Sequence, residues 1–243
     1  MKLTGNTILI TGGATGIGRA FAERFAARDN TVVLCGRRAD KLAEARDAMP
    51  NVQTMVCDVS NPSARENLAE HVLSEFPDLN VLVNNAGIQR RNDLTQPEDW
   101  SLTATEIAIN LEAPIHLTRL FYPHLSAKDN AAIINVTSGL SFVPLVNVPV
   151  YCATKAALHS FTLSARRQYA SEGVEVIEVI PPAVDTDLQA PGLHTFGVNT
   201  DEFADHVFAE LEKGKTEIAY GTAAASSTAS REGLEEIFAR MNA

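Results

Sequence analysis

Cysteine is scarce in this chain. Cys35, Cys57 and Cys152 are an odd number of thiols without paired spacing, which argues against a disulfide framework and does not approach a metal-ligand pattern. A basic surplus is also missing. The formal net charge of -10 argues against a nucleic-acid backbone or an anionic membrane as the main partner. No apolar run is long enough to span a bilayer, and Met1 to Gly5 lacks the basic, apolar, small-residue order of a signal peptide. No linker-like stretch interrupts the chain before about residue 190. What is left is one cytoplasmic domain: 243 residues can bury a substantial core, and 45% hydrophobic with 21% charged residues is ordinary for a soluble globular protein.

Short apolar runs alternate with helical periodicity. Strands are expected at Thr7–Ile10, Thr31–Cys35, Gln53–Cys57, Asn80–Val83, Ala132–Val136 and Val174–Ile180, with a seventh at Glu217–Tyr220. Helices are expected at Gly16–Arg28, Asp40–Ala48, Pro62–Phe76, Thr103–Leu125 (bent at Pro114), Tyr151–Tyr169, Asp201–Lys213 and Glu232–Met241. Residues 187–213 read as a short substrate-side segment, irregular from Gln189 to Thr200, and residues 222–243 as a variable tail. The Ala/Ser/Thr-rich stretch Thr222–Ser230 reads as loosely packed. Nearly all-apolar strands alternating with helices imply an α/β fold, a Rossmann-type doubly wound parallel sheet covered by helices on both faces. Ligands of such sheets lie at the carboxyl ends of the strands.

Several chemistry-bearing residues fall on that rim. Gly12, Gly13, Gly16 and Gly18 lie between the first strand and first helix. There glycine admits positive φ and close approach of a pyrophosphate to helix-terminal N–H groups. The second strand ends in Gly36-Arg37-Arg38 where NAD-selective domains carry an acid, so two guanidinium forks favour NADP(H) over NAD(H) through a 2′-phosphate. Asp58 either accepts from an adenine amino group or serves as a turn carboxylate. Ser138 precedes Tyr151 by thirteen residues, and Lys155 follows by four, one helical turn away. An ammonium beside a phenol lowers its pKa, and a shift of ~3 units corresponds to roughly 4 kcal/mol. An ordinary helix surface has the same Tyr–Lys spacing, so the set draws its meaning from its neighbours.

In Thr11-Gly12-x-x-x-Gly16-Ile17-Gly18, Asp58-Val59, Asn84-Asn85-Ala86-Gly87, Asn110, Ser138, Tyr151-x-x-x-Lys155 and Pro181 through Thr186, the chain resembles the classical short-chain dehydrogenase/reductase family over about residues 4–190. Its overall character is nearest a bacterial branch of DltE-like oxidoreductases. The resemblance implies hydride transfer between a nicotinamide dinucleotide and a carbonyl or secondary alcohol. It implies Tyr151 as general acid/base, Lys155 as the residue that lowers its pKa and holds the nicotinamide ribose, and Ser138 polarising the substrate oxygen. Asn110 would hold a water that links Lys155 to solvent. Thr15, Asn85, Ala86 and Gly87 join the cofactor pocket, with Asn84 a strand brace, and Val184 and Thr186 meet the carboxamide and pyrophosphate.

Two departures limit the transfer: Pro182 stands where the family commonly has glycine, and the segment after Thr186 is short, leaving the site open or capped by another subunit. The family also implies pairing of the two long helices into a homodimer or homotetramer. Phe142–Asn147 would wall the substrate side or pack the loop, and Gln89-Arg90-Arg91 would meet an anionic group or solvent. Cys152 is read as packing, and His116, His124 and His159 carry no role. A 3-oxoacyl-thioester reductase would want a basic patch, which the net charge disfavours. An NADP(H)-sensing binding protein would be free to lose Asn110, Ser138, Tyr151 or Lys155.

Overall fold

In a computed structural model, which describes every residue except 50, 189–191 and 193, seven strands form one parallel sheet. They are β1 (Thr7–Thr11), β2 (Thr31–Gly36), β3 (Val52–Val56), β4 (Leu79–Asn84), β5 (Ala132–Val136), β6 (Glu175–Ile180) and β7 (Glu217–Ala219). Their order is β3-β2-β1-β4-β5-β6-β7. The chain winds outward from β1 to β3, returns beside β1 as β4, and winds the other way. The order therefore reverses between β1 and β4, where parallel sheets of this kind open a crevice.

The alternation of side chains along each strand builds two cores. Ile8, Ile10, Val32, Leu34, Val81 and Val83 face α1 (Gly16–Ala26), α2 (Ala39–Ala48) and α7 (Thr200–Glu212). Leu9, Val33, Leu82 and Ile133 face α3 (Pro62–Glu75), α5 (Ala113–Leu125) and α6 (Pro149–Tyr169). Every residue of β4 and β5 is buried, as a strand covered on both faces requires.

The expected long helix Thr103–Leu125 is not one bent α-helix. It begins at Trp100 as α4 (Trp100–Ile107), passes through a π-helical turn at Ala108–Glu112, and resumes as α5. Pro114 lacks an N–H, so the carbonyl of Asn110 four residues earlier has no α-helical donor, and the wider turn falls there. The stretch Thr222–Ser230 is not loose either. Gly221–Thr228 forms α8, Ala223 is buried, and a Cβ on Gly139 would lie only 3.0 Å from the Ala223 Cβ. Small residues let this helix sit against the end of β5, a role that composition alone does not separate from disorder. The final helix is α9 (Arg231–Met241). The irregular stretch expected from Gln189 falls partly on residues 189–191 and 193, outside the described ones. The rest of it folds back, with Val198 pairing as a β-bridge to Val184.

α7 is anchored by an aromatic cluster. Phe208 meets Phe25 edge-on at 4.6 Å between centroids and Phe21 at 5.9 Å, all three buried. Phe208→Ala is expected to cost about 3–5 kcal/mol of unfolding free energy. A denaturant titration showing a loss below about 1 kcal/mol would contradict this packing.

Candidate active site

The carboxyl ends of β1, β2, β4, β5 and β6 surround a cleft of about 910 Å³. Thr11 at the end of β1 joins two of its walls. Its hydroxyl donates to Val83 O (3.2 Å) and accepts from the backbone N–H groups of Asn85 and Ala86 (3.0 Å each). Asn85 answers by donating Nδ2 to Thr11 O (2.9 Å) and Gly12 O (3.2 Å). The glycine-rich turn and the Asn84–Gly87 turn are thereby one unit.

That unit has the features of an anion cradle. Gly12 and Gly16 adopt φ of 64° and 54°, in the left-handed region that favours glycine. A Cβ on Gly12 would lie 2.9 Å from Ala86 Cα, and one on Gly18 would lie 2.4 Å from Gly12 O. Thr15 caps α1 without a side-chain hydrogen bond, and the first turn carries no acid. The free N–H groups at the start of this helix thus have the donor chemistry a pyrophosphate needs. Thr186 closes over the turn, its Cγ2 3.1 Å from where a Gly16 Cβ would be. Arg37 and Arg38 are exposed on the adjoining rim, with Arg38 Nη2 donating to Thr15 Oγ1 at 3.0 Å.

Most of the expected cofactor residues line this one cleft: Gly12, Thr15, Gly16, Ile17, Arg37, Arg38, Val59, Asn85, Ala86, Gly87, Val184 and Thr186. Gly18 supports the turn from behind. Asp58 is exposed, and its Oδ1 accepts from the N–H (3.0 Å) and hydroxyl (2.8 Å) of Ser60. That is a turn role, and Oδ2 is left without a hydrogen bond among the described residues.

Ser138, Tyr151 and Lys155 converge on the same cleft, each buried. Ser138 lies two residues beyond β5 and accepts from Leu140 N (3.1 Å), so its hydroxyl hydrogen is free to point into the cleft. Gly139 N donates to Pro181 O (2.9 Å), which ties the Pro181–Thr186 loop beside Ser138. Lys155 donates to Val136 O (2.8 Å), with Nζ 5.7 Å from the centre of the Tyr151 ring. Burial pushes Tyr151 well above the ordinary phenol range, outweighing the lowering by its hydrogen bond with Ser138. Burial also pulls Lys155 down to about 8. The expected acidification of Tyr151 by Lys155 is therefore not what this arrangement produces; desolvation dominates and favours the neutral form of each.

Asn110 lies in the π-helical turn, almost fully buried. Its side chain pairs with the backbone of Ile88, accepting from N (2.9 Å) and donating to O (2.8 Å), with a further bond to Thr154 Oγ1 (3.2 Å). The side chain is a strut for the Asn85–Arg90 segment. Gly87 lies between Asn110 and Lys155, its Cβ position 3.4 Å from Asn110 Oδ1 and 3.7 Å from Lys155 Nζ. Asn84 braces β4 to β5 through Asn135 Oδ1 (2.9 Å).

Other assignments change. Of Phe142–Asn147, Leu145 faces the cleft, Val143 is buried in the core, and Phe142 packs edge-on against His159. His159 is not idle. It pairs with buried Glu178 (2.9 Å), which also accepts from Thr137 Oγ1 (2.7 Å), directly behind Ser138. His159 and Glu178 are far apart in sequence, so no spacing signals them. After Thr186, His194, Phe196, α8 and α9 contribute to the walls of the cleft. Gln89 and Arg90 line it too, and Arg90 is paired with Glu98 (2.7 Å).

Comparison with known proteins agrees with this geometry. The family model described as "short chain dehydrogenase" matches residues 6–195. The "Uncharacterized oxidoreductase DltE" of Bacillus subtilis (strain 168) is 46% identical over 248 aligned positions, covering 100% of this chain and 98% of that protein. A short chain dehydrogenase from Burkholderia cenocepacia J2315, solved in complex with NADP, superposes with a TM-score of 0.85 at 28% identity, covering 99% of both chains. A short chain dehydrogenase/reductase from Burkholderia phymatum, solved with NAD, shares the fold with a TM-score of 0.85 at 22% identity, covering 100% of this chain and 97% of that one. The chain belongs to the short-chain dehydrogenase family and is an oxidoreductase of its DltE-like branch.

Proposed function

We propose that the protein is an NADPH-dependent carbonyl reductase in which Tyr151 is the general acid. The observation that carries this reading is the burial of Tyr151 and Lys155 beside Ser138, in the same cleft as the glycine-rich anion cradle. When bound, the nicotinamide supplies the hydride received by the carbonyl carbon. Ser138 donates a hydrogen bond to the carbonyl oxygen, and Tyr151 transfers its phenolic proton to that oxygen as the C=O bond becomes C–O–H. A phenol held neutral by burial is loaded for this direction. Lys155 stabilises the phenolate that results, and the Asn110 carbonyl, lacking a donor at Pro114, seats a water through which the proton is restored. In the oxidative direction the same groups act in reverse.

Arg37 and Arg38 support a preference for NADP(H), since the rim beside Thr15 offers two guanidinium groups at the end of β2. The NADP in the Burkholderia cenocepacia relative is consistent with that preference, and the NAD in the Burkholderia phymatum structure is the alternative. Exposed Leu102 on α4 and Leu163 on α6 support a homodimer or homotetramer paired through these helices. No helix among the described residues is long and apolar enough to cross a membrane. The reading retains a small carbonyl substrate and a cytoplasmic location.

Tyr151→Phe should reduce turnover of a ketone and aldehyde panel with NADPH by at least about a thousandfold, since both the proton and its transfer are lost; unchanged turnover would sink the assignment. Replacing Arg37 and Arg38 together by alanine should weaken NADPH binding by about tenfold or more and NADH binding far less. An equal effect on both cofactors in a titration would defeat the preference.

Lys155 also leaves a mark on stability. Its folded pKa of about 8 lies below the ordinary 10.5, so between those values the unfolded chain binds more protons. Unfolding free energy from this group therefore rises with pH across that window, by on the order of 3 kcal/mol in total. Denaturant titrations at pH 8 and pH 10 should show wild type gaining on Lys155→Met as pH rises. A constant difference between the two proteins would mean that Lys155 is not held uncharged by burial.

A further inference from the structure

α9 has no buried residue, yet it is fastened to the site. Asn242, at its C-terminal cap, accepts from Val146 N (2.8 Å) through Oδ1 and donates to Pro144 O (3.1 Å) through Nδ2. It thus pairs with the backbone of the loop as a strand would, while Nδ2 also bonds Phe238 O within its own helix (2.9 Å). That loop carries Leu145 into the cleft and runs directly into the α6 helix that presents Tyr151. Through this clamp Ile237, Arg240 and Met241 become walls of the cavity that holds Ser138 and Tyr151.

The chemistry of this wall is apolar with a cation. Leu145, Leu188, Ile237 and Met241 supply hydrocarbon. Arg240 forms no ion pair with the described residues, whereas Arg90 is neutralised by Glu98. The loop before α7 adds a second donor. His194 bonds Gln89 Oε1 through Nε2 (3.2 Å), and its Nδ1 is buried without a hydrogen-bond partner among the described residues. With Nε2 engaged by Gln89, the remaining ring nitrogen Nδ1 is the atom of His194 left to meet a polar group of a ligand. Asp187, which also lines the cleft, and Arg240 are both solvent-exposed, so water screens the two charges alike. On a chain of net charge -10, Arg240 brings a guanidinium fork without an ion-pair partner among the described residues to the edge of an apolar cavity, a geometry that suits a carboxylate or phosphate.

We propose that this wall recognises a carbonyl substrate carrying an anionic group, carboxylate or phosphate, joined to the carbonyl by an apolar segment, with Arg240 taking the anion. The proposal rests on the carbonyl-reductase reading and names the substrate class of that site. Arg240 and His194 engage one end of the substrate, the apolar side chains cover its middle, and the carbonyl reaches Tyr151 and Ser138.

The test uses oxo-carboxylates of increasing chain length, each beside its methyl ester, and a phosphomonoester series. Wild type should favour the acids over their esters in kcat/KM by about tenfold or more, the scale of a charge-assisted hydrogen bond. Arg240→Gln should abolish that ratio mainly by raising KM, and Arg240→Lys should restore part of it. The better of the carboxylate and phosphate series identifies the head group. Equal use of acids and esters by wild type, or an undiminished ratio in Arg240→Gln, overturns the proposal. If neither acids nor esters turn over, the carbonyl-reductase reading fails instead. Calorimetric titration of the same oxo-acids into the protein with NADP(H) then decides the anion site, which falls if wild type and Arg240→Gln bind them alike.

Discussion

The hydroxyl of Thr11 holds together the two halves of this molecule's chemistry. It sits where the sheet order reverses, donating to the last stretch of β4 and accepting from the two N–H groups that follow β4. A parallel strand that ends at a crevice leaves such groups unpaired, and burying them unpaired would cost about 1–3 kcal/mol each. One side chain satisfies three of them and locks the glycine-rich turn to the segment that Asn110 supports from the other side. The glycine-rich turn, the Asn84–Gly87 turn and the helix that carries Tyr151 therefore keep a common frame.

Within that frame, the Tyr151 and Lys155 pair is governed by desolvation more than by mutual attraction. Both side chains are buried, and each is displaced toward its neutral form. On the proposed reading such an arrangement serves a reductive acid, because the proton must be present before the carbonyl arrives. Behind Ser138, the buried Thr137–Glu178–His159 network stiffens the strand end that presents the serine. Rigidity there limits how far the hydroxyl can stray from the Tyr151 phenol.

Much of this was legible in the chain because parallel strands buried on both faces must be apolar throughout, and glycine must stand where the backbone turns left-handed. The six principal strands, the glycine turn and the convergence of Ser138, Tyr151 and Lys155 follow from those two rules and the rule that such sheets use their carboxyl ends. The π-helical turn at Asn110 was half legible: Pro114 announces a fault in the helix, but not that the fault widens one turn without ending it. α8 was misjudged because alanine, serine and threonine serve equally as loose linker and as a helix small enough to approach Gly139. The engagement of Asp58 by Ser60 is local chemistry, two residues apart in a turn.

By itself the sequence determined which strands are buried, where the glycine-rich turn falls, and that Ser138, Tyr151 and Lys155 are spaced to meet, because each depends on local spacing and side-chain chemistry. Only the tertiary structure decided what surrounds them. Arg240 and Met241 reach a cavity shared with Tyr151 because Asn242 clamps α9 to Val146, and His159 meets Glu178 across neighbouring elements. The direction of the Tyr151 and Lys155 shifts was settled in the same way. Burial depends on everything packed around a group, and no spacing along the chain encodes how much water the finished fold excludes.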